Sequence, residues 1–356
     1  MIREIGSEFH ATIDWGSQHH IRKGPVWKDH NYVYLRSGRE AIGFVLDDIG
    51  RDKKKAILPA YICHSMLEPF LVRGYQVSFF GIDECFNPDL GDFRDSLRLD
   101  PDVVLYIDWF GMDKNKELIS LAKGHSDRLL LVSDNTHNCF EGSSMDIADY
   151  CIASLRKWFS LPDGAVAVSN RSSFGKMPVF EENAFVALRK KAMMLKADYL
   201  VGGDQDLKVS YRKLLADAES LIDDSSQPVG VSPFSERVIE QADYERMKLR
   251  RRKNCNTLAT HLTRLSLFPE AVEHLTQLES PFCFPIRVEQ GRNELQRWLA
   301  DRGIYCPVLW PLPRDISRQF EIATYLSNQI LAIPCDHRYD ESDMEFVAHT
   351  ITAYFR

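Results

Sequence analysis

The stretch Asp149 to Val168, DYCIASLRKWFSLPDGAVAV, constrains this chain more than any other. It reads as a short apolar strand, a polar turn carrying Ser154, Arg156 and Lys157, and then Asp163-Gly164 leading into a second apolar strand, Ala165 to Val168. Charged side chains are rarely buried unless paired. A lysine between two buried strands is therefore either an ordinary surface residue that escapes to solvent or one that serves chemistry. The chemistry open to it is a Schiff base. Desolvation or a neighbouring cation, here Arg156, makes an amine nucleophilic, and the aldehyde of pyridoxal 5'-phosphate (PLP) is its common partner. Asp134, upstream at the end of another apolar run, strengthens that second reading.

Composition narrows the class of ligand. With 356 residues the chain can bury a sizeable core and form about two domains, or one large domain with an appendage. Its 44 basic and 51 acidic residues give a net charge of -7, which argues against a nucleic-acid binder driven by bulk charge and favours a small metabolite. No window approaches the roughly 18 apolar residues of a membrane span, and the N-terminus, MIREIGSEFH, carries acids where a signal peptide is basic and then apolar. A cytoplasmic protein is expected. The 8 cysteines include no CxxC pair, so reduced thiols are expected, with neither a metal site nor a disulfide frame.

Residues 1–33 lack periodicity and read as an arm over the main domain. Within it His19 and His20 face opposite ways on any strand, which suits a solvated pair better than ligands. Tyr32 to Leu35 then gives way to SGREAI, and the spacing of Ile42, Val45, Leu46 and Ile49 is helical. Ser37 with Glu40 reads as a capping box, and the small residues there also leave helix N-terminal amides free for a phosphate. Further strands are expected at Lys55 to Leu58, Val77 to Phe80, Val103 to Ile107 and Leu129 to Val132. Helices are expected through Met66 to Leu71 and Lys116 to Lys123. Such alternation implies a parallel sheet covered on both faces, with ligands beyond the carboxyl ends of its strands. Three strand ends are notable: Asp108 to Gly111, Ser133 to His137, and Ser154 to Lys157.

SGREA at 37–41, ILPAYICHS at 57–65, DWFG at 108–111, SDNTHN at 133–138, SLRKW with PDGA at 154–165, and LAIPCDHRYDESDMEFV at 331–347 stand in the order and spacing of one family. The chain resembles the DegT/DnrJ/EryC1/StrS aminotransferases over nearly its whole length. The resemblance implies an α/β chain with the PLP-transferase fold of type I, a large domain whose mostly parallel sheet lies between helices, plus a small C-terminal α/β domain. It also implies a homodimer with sites shared across the interface. Lys157 then matches the Schiff-base lysine, Asp134 the acid on the pyridine nitrogen, and His137 the residue near the cofactor's 3-hydroxyl. Gly38 and Arg39 match the pair whose amides hold the phosphate, with Ser154 a further phosphate-side candidate. Where the family has an aromatic stacked on the ring, this chain has Cys63, flanked by Tyr61 and His64, and any of the three can face it. The implied reaction moves an amino group from glutamate or glutamine to a keto sugar, nucleotide-linked. Sugar dehydration or epimerisation, and a non-catalytic regulatory role on the same fold, are the alternatives. Arg156 and Arg314 are candidates for the substrate's anionic groups. Trp109 is either a substrate contact or plain core.

Beyond the lysine strand the pattern is helical at Glu181 to Leu200, Asp206 to Ile222 and Glu236 to Leu265, broken by the Ser, Pro and Gly residues of 223–233. The expected domains are therefore the arm 1–33, a large PLP-binding domain 34–233 and a small domain 234–356. RMKLRRRK at 246–253 reads as a solvated helix face. In the small domain strands are expected at Phe282 to Val288, Cys306 to Leu309 and Ile330 to Ile333, with helices at Arg292 to Arg302, Ile316 to Asn328 and Glu341 to Phe355.

Overall fold

The computed structural model describes residues 3–12, 24–141, 145–223 and 227–356. His19 and His20 lie outside them. Eleven strands are formed: β1 Ile5–Gly6, β2 Asn31–Leu35, β3 Lys55–Pro59, β4 Gln76–Phe80, β5 Val103–Ile107, β6 Leu130–Asp134, β7 Tyr150–Ala153, β8 Ala165–Ser169, β9 Phe284–Arg287, β10 Ile304–Tyr305 and β11 Ile330–Ile333. Seven of them make one sheet in the order β2-β8-β7-β6-β5-β3-β4. The pairs β3 with β4, β3 with β5, β5 with β6 and β6 with β7 are parallel, whereas β8 runs antiparallel to both β7 and β2. Only β8 is reversed, because Lys157 to Gly164 forms a short return between neighbouring strands where the others are joined by helical crossovers.

The central strands are buried from end to end because helices cover both faces. Every residue of β5 to β8 is buried, whereas the edge strand β4 is exposed at Gln76 and only half-buried at Val77, Ser78 and Phe79. Gly38–Ile49 and His64–Val72 are helices that start at the carboxyl ends of β2 and β3. Ser37 caps the first by accepting from the Glu40 amide at 3.3 Å. The rest of the expected capping box is absent. The buried Glu40 carboxylate instead takes the Arg36 guanidinium, the Ser37 hydroxyl and the Val229 amide, since a charge 4% exposed needs ionic partners.

Several elements differ from the sequence reading. Helices Leu90–Leu97 and Pro269–Leu275 carried too few apolar repeats to be noticed. The long helix expected from Glu236 divides into Pro233–Gln241 and Tyr244–Leu262, with Asp243 capping the second through the Arg246 amide. The helix expected over 316–328 divides likewise into Arg314–Ser317 and Glu321–Gln329. In the C-terminal region β9 and β11 form an antiparallel pair. The strand expected at Cys306 to Leu309 is instead β10, two residues earlier, paired in parallel with β1. That pairing ties the N-terminal arm to its own chain. Glu4 and Glu8 extend the attachment to the helical hairpin Ala184–Gly202 and Gln205–Asp223, through Lys196 at 3.2 Å, Lys208 at 3.3 Å and Arg189 at 3.1 Å. The described arm thus has its surface without a partner subunit. No helix among the described residues is long and apolar enough to cross a membrane.

Candidate active site

The turn bearing Lys157 is held in place by backbone bonds. The amides of Leu155 and Arg156 donate to the Gly164 carbonyl at 3.0 and 3.2 Å, and the Gly164 amide donates to Arg36 at 2.7 Å. Asp163, fully buried, accepts from the Ser232 amide at 2.6 Å and from the hydroxyls of Ser232 and Ser235. The neighbouring turn after β6 is stitched to it. The Ser154 amide donates to Thr136 Oγ1 at 3.0 Å, and the Trp158 indole donates to the Thr136 carbonyl at 2.6 Å.

These turns open onto a cavity of about 250 Å³. Gly38, Arg39, Cys63, Asp134, Ser154, Arg156 and Lys157 all line it, so seven of the residues singled out in the sequence converge. Gly38 leaves room that a side chain would take, since a Cβ there would stand 3.1 Å from that of Ser154. The Asp134 carboxyl is buried, its Oδ1 accepting from the Thr136 amide at 2.8 Å. Burial pushes its pKa up, opposed by hydrogen bonding from Thr136 and by the Lys157 charge. Such a carboxylate is stabilised by a cation at the cavity. Lys157 is exposed, and its ammonium makes no hydrogen bond or ion pair among the described residues.

His137 stands beside this cavity rather than in its wall. Its ring lies between Phe282, 4.4 Å away and near-parallel, and Phe110 and Trp310 at 5.3 and 5.4 Å. Burial, aided by the Lys157 charge, holds its pKa well below 6.5 and keeps it neutral. Since Nδ1 accepts from the Phe110 amide at 3.2 Å, the proton resides on Nε2, a buried donor with no partner. The cavity therefore offers a buried acid, a glycine-bearing helix start and an amine, with an unmatched imidazole donor beside it. This donor set fits PLP.

The other candidates fall elsewhere. Tyr61 is fully buried, donates its hydroxyl to the Leu309 carbonyl and packs on Phe86, Trp109 and Trp310, so it is core and not a ring contact. His64 points to solvent as the first residue of its helix. Of the three residues considered for the ring face, only Cys63 reaches the cavity. Trp109 is plain core, its indole donating to the Tyr61 carbonyl at 3.2 Å. Arg314 is exposed at the start of a short helix, outside the cavities described here. Arg39 is paired with Glu68 at 3.0 Å, and Arg156 with Glu219 at 2.7 Å, so neither charge is available without exchange. Glu219 and Ile222, from the helix Gln205–Asp223, line the cavity unannounced by any motif. Lys157 and Arg156 also line a second cavity of about 640 Å³, walled by Gly6 to Phe9 of the arm and by Phe282, Tyr305 and Arg338 of the C-terminal region. Arg251 belongs to that wall too. It is fully buried over the Trp158 ring, 4.2 Å from its centroid, and so is not part of a solvated face.

No protein-family model matches the sequence, and no curated protein does. Solved structures do match. Spr1654 of Streptococcus pneumoniae, assigned as a sugar aminotransferase and solved in a PMP form, superposes with a TM-score of 0.66 at 13% identity, over 99% of this chain and 97% of that one. PseC of Helicobacter pylori, an aminotransferase of pseudoaminic acid biosynthesis, gives 0.63 at 15% identity, over 91% and 86%. A DegT/DnrJ/EryC1/StrS aminotransferase of Brucella abortus gives 0.61 at 14% identity, over 91% and 85%. The chain has the fold of these aminotransferases, a mixed α/β architecture around a mostly parallel seven-stranded sheet.

Proposed function

We propose that the protein is a PLP-dependent aminotransferase that moves an amino group from glutamate or glutamine to a keto sugar, nucleotide-linked. The observation that carries this reading is Lys157, an unpaired amine at the junction of two cavities, one of which also holds the buried Asp134. Bound PLP would supply an electron sink for the carbanion left when the donor loses its α-proton. Asp134 would keep a proton on the ring nitrogen, which in turn offsets the cost of burying its carboxylate. Lys157 Nζ would anchor the cofactor and, when released, carry the donor's proton. The amides of Gly38 and Arg39 with the Ser154 hydroxyl would hold the phosphate, and His137 Nε2 would donate to the ring oxygen. The likeness to sugar aminotransferases supports a keto sugar as acceptor.

The protein is further read as a cytoplasmic homodimer. The surface that supports a second copy is on the helical hairpin beside the site, where Met194, Val201 and Val209 are 60%, 74% and 69% exposed. The central test is spectroscopic. The purified protein, supplied with PLP, should develop the near-ultraviolet to visible band of a lysine-bound cofactor, and Lys157→Ala should not. A wild type that takes up no PLP would reject the reading. Stoichiometric keto acid from glutamate or glutamine separates amino transfer from sugar dehydration or epimerisation, which release none.

A further inference from the structure

Gly6, Ser7, Glu8 and Phe9 of the N-terminal arm supply part of the wall of the cavity of about 640 Å³ that Lys157 lines, whereas no described residue of the arm lines the cavity of Asp134. The arm crosses the larger cavity between two supports. On the C-terminal side β1 pairs with β10, the Gly6 amide donates to the Tyr339 hydroxyl at 2.8 Å, and the Arg338 guanidinium donates to the carbonyls of Ser7 and Glu8 at 3.3 and 3.2 Å. Glycine is needed at position 6, because its φ is 86° and an added Cβ would collide with the Tyr305 carbonyl. On the other side the helical hairpin holds Glu4, whose side chain is 2% exposed, between Lys196 and Lys208, and the Ala11 amide donates to the Met193 carbonyl at 3.0 Å. Glu8 takes Arg189 at 3.1 Å. Arg189 also holds Glu219, and Glu219 holds Arg156, the neighbour of Lys157. An ionic chain therefore runs from the arm to the turn that presents the amine. Apolar packing contributes little, since of residues 3–12 only Ile5 belongs to the hydrophobic core.

We infer that residues 4–11 form a strap, contributed by the chain that carries the lysine, which opens to admit substrate to Lys157 and closes over it, with Phe9 facing the substrate and Glu4 positioning the strap. The inference rests on the proposed function. A segment held mainly by ion pairs and hydrogen bonds opens locally at lower cost than one packed into the core, which is the property an active-site cover needs. Closure removes water from around the amine and its substrate. Phe9 is placed to meet the substrate because its ring separates the lysine cavity from a neighbouring one of about 560 Å³, with the Arg338 guanidinium 4.0 Å behind its centroid. Asp336 holds Arg338 at 2.8 Å, so the backing is fixed and the strap is the part of this partition that can move. Glu4 acts through the strap rather than on the substrate. It neutralises two lysines of the hairpin, and one of them, Lys196, has a side chain 3% exposed and donates to the Ser7 hydroxyl. Loss of the Glu4 charge leaves that buried cation without its counter-ion and frees the start of the strap.

The test compares the PLP-loaded wild type with Glu4→Gln, Phe9→Ala and Phe9→Leu. Before any donor is added the cofactor's absorbance should be the same in all four, because the arm has no described residue in the cavity of Asp134. The glutamate concentration that half-completes the absorbance change should rise at least tenfold in Phe9→Ala and in Glu4→Gln, and less than threefold in Phe9→Leu, which keeps an apolar wall. Hydrogen exchange over residues 4–11 of wild type should slow at least tenfold at saturating glutamate, and Glu4→Gln should exchange faster than wild type with or without it. An arm that only packs would lower the unfolding midpoint in these variants yet leave the half-saturating concentration within twofold of wild type. That result, or exchange in the arm that ignores glutamate, would overturn the strap. A cofactor band altered by Phe9→Ala would overturn its placement at the substrate end. If wild type takes up no PLP, or takes it up and does not respond to glutamate or glutamine, the aminotransferase reading falls. The strap is then decided in the cofactor-free protein by the rate at which trinitrobenzenesulfonate labels Lys157, read by peptide mass spectrometry. Labelling at least threefold faster in Glu4→Gln upholds it, and equal labelling overturns it.

Discussion

Replacing Asp163 by alanine should cost the protein more than replacing any residue that lines the cofactor cavity. Asp163 is fully buried and receives three donors, the Ser232 amide at 2.6 Å, the Ser232 hydroxyl at 2.7 Å and the Ser235 hydroxyl. Hydrogen bonds to a charged acceptor contribute about 1.5–3 kcal/mol each, and a buried donor left unmatched costs about 1–3 kcal/mol. The two hydroxyls can rotate, and the Ser232 hydroxyl still accepts from the Ser235 amide, so the donors are not all stranded. The expected loss is about 4–6 kcal/mol, a large part of the roughly 5–15 kcal/mol that holds a typical domain folded. Asp163→Asn keeps one acceptor and should lose about 2 kcal/mol. The effect reaches the site because Gly164, the next residue, accepts from Leu155 and Arg156 and so shapes the turn that presents Lys157. Urea unfolding followed by tryptophan fluorescence gives the loss, and cofactor absorbance in the folded fraction gives the displacement of the lysine. A loss below about 1 kcal/mol for Asp163→Ala would refute the reasoning. It would mean that water or a rearranged helix start replaces the carboxylate.

Two further outcomes follow from charge and exposed surface. Burial holds His10 near a pKa of about 4, His337 near about 3 and His137 well below 6.5, so between about pH 6.5 and 4 the unfolded chain binds protons that the folded one refuses. Acidification through that window should therefore destabilise wild type more than His337→Asn, with the raised carboxyl of Asp108 acting in the opposite sense in both; an identical pH dependence of the two unfolding midpoints would contradict it. Light scattering on the PLP-loaded protein should give twice the 41.0 kDa chain mass, and Val201→Glu with Val209→Glu should return the mass to that of one chain. A wild-type monomer would remove the dimer from the proposal.

The residues that sequence reasoning placed well share one property, which is that each sits at the carboxyl end of a strand. An apolar run that stops at Asp134 or Ser154 announces both a strand and its end, and parallel pairing then brings those ends to one edge of the sheet. Gly38 and Lys157 were legible for the same reason. The order of motifs suggested the roles proposed for them. Turn geometry was not legible at this level. After Pro59 the chain turns so that Cys63 faces the cavity while Tyr61, two residues earlier, is buried among aromatic rings, and residue type alone left Tyr61, Cys63 and His64 open. Glu219 and Ile222 carried no signal either, because a polar and an apolar residue on an amphipathic helix look alike whether they face a cavity or a neighbour.

Arg251 shows that the missing signal was sometimes present but outweighed. Within the basic run it falls in register with Met247, Asn254, Cys255 and Leu258, all of them buried, at the spacing of one helix face. Charge dominated the reading although periodicity pointed inward. The consequence lies in the cavity wall. Arg251 Nη1 donates to the carbonyls of Pro281 and Phe282, and its Nε and Nη2 have no partner. Asp336, whose charge acts on it, is held by Arg338. A buried cation maintained at that expense beside Trp158, and hence one residue from Lys157, adds to the positive field in which the amine sits. A positive field suits anionic substrates. Position in the fold, rather than residue type, thus separates Arg251 from Arg314, which shares its charge but lies in solvent at the start of a four-residue helix.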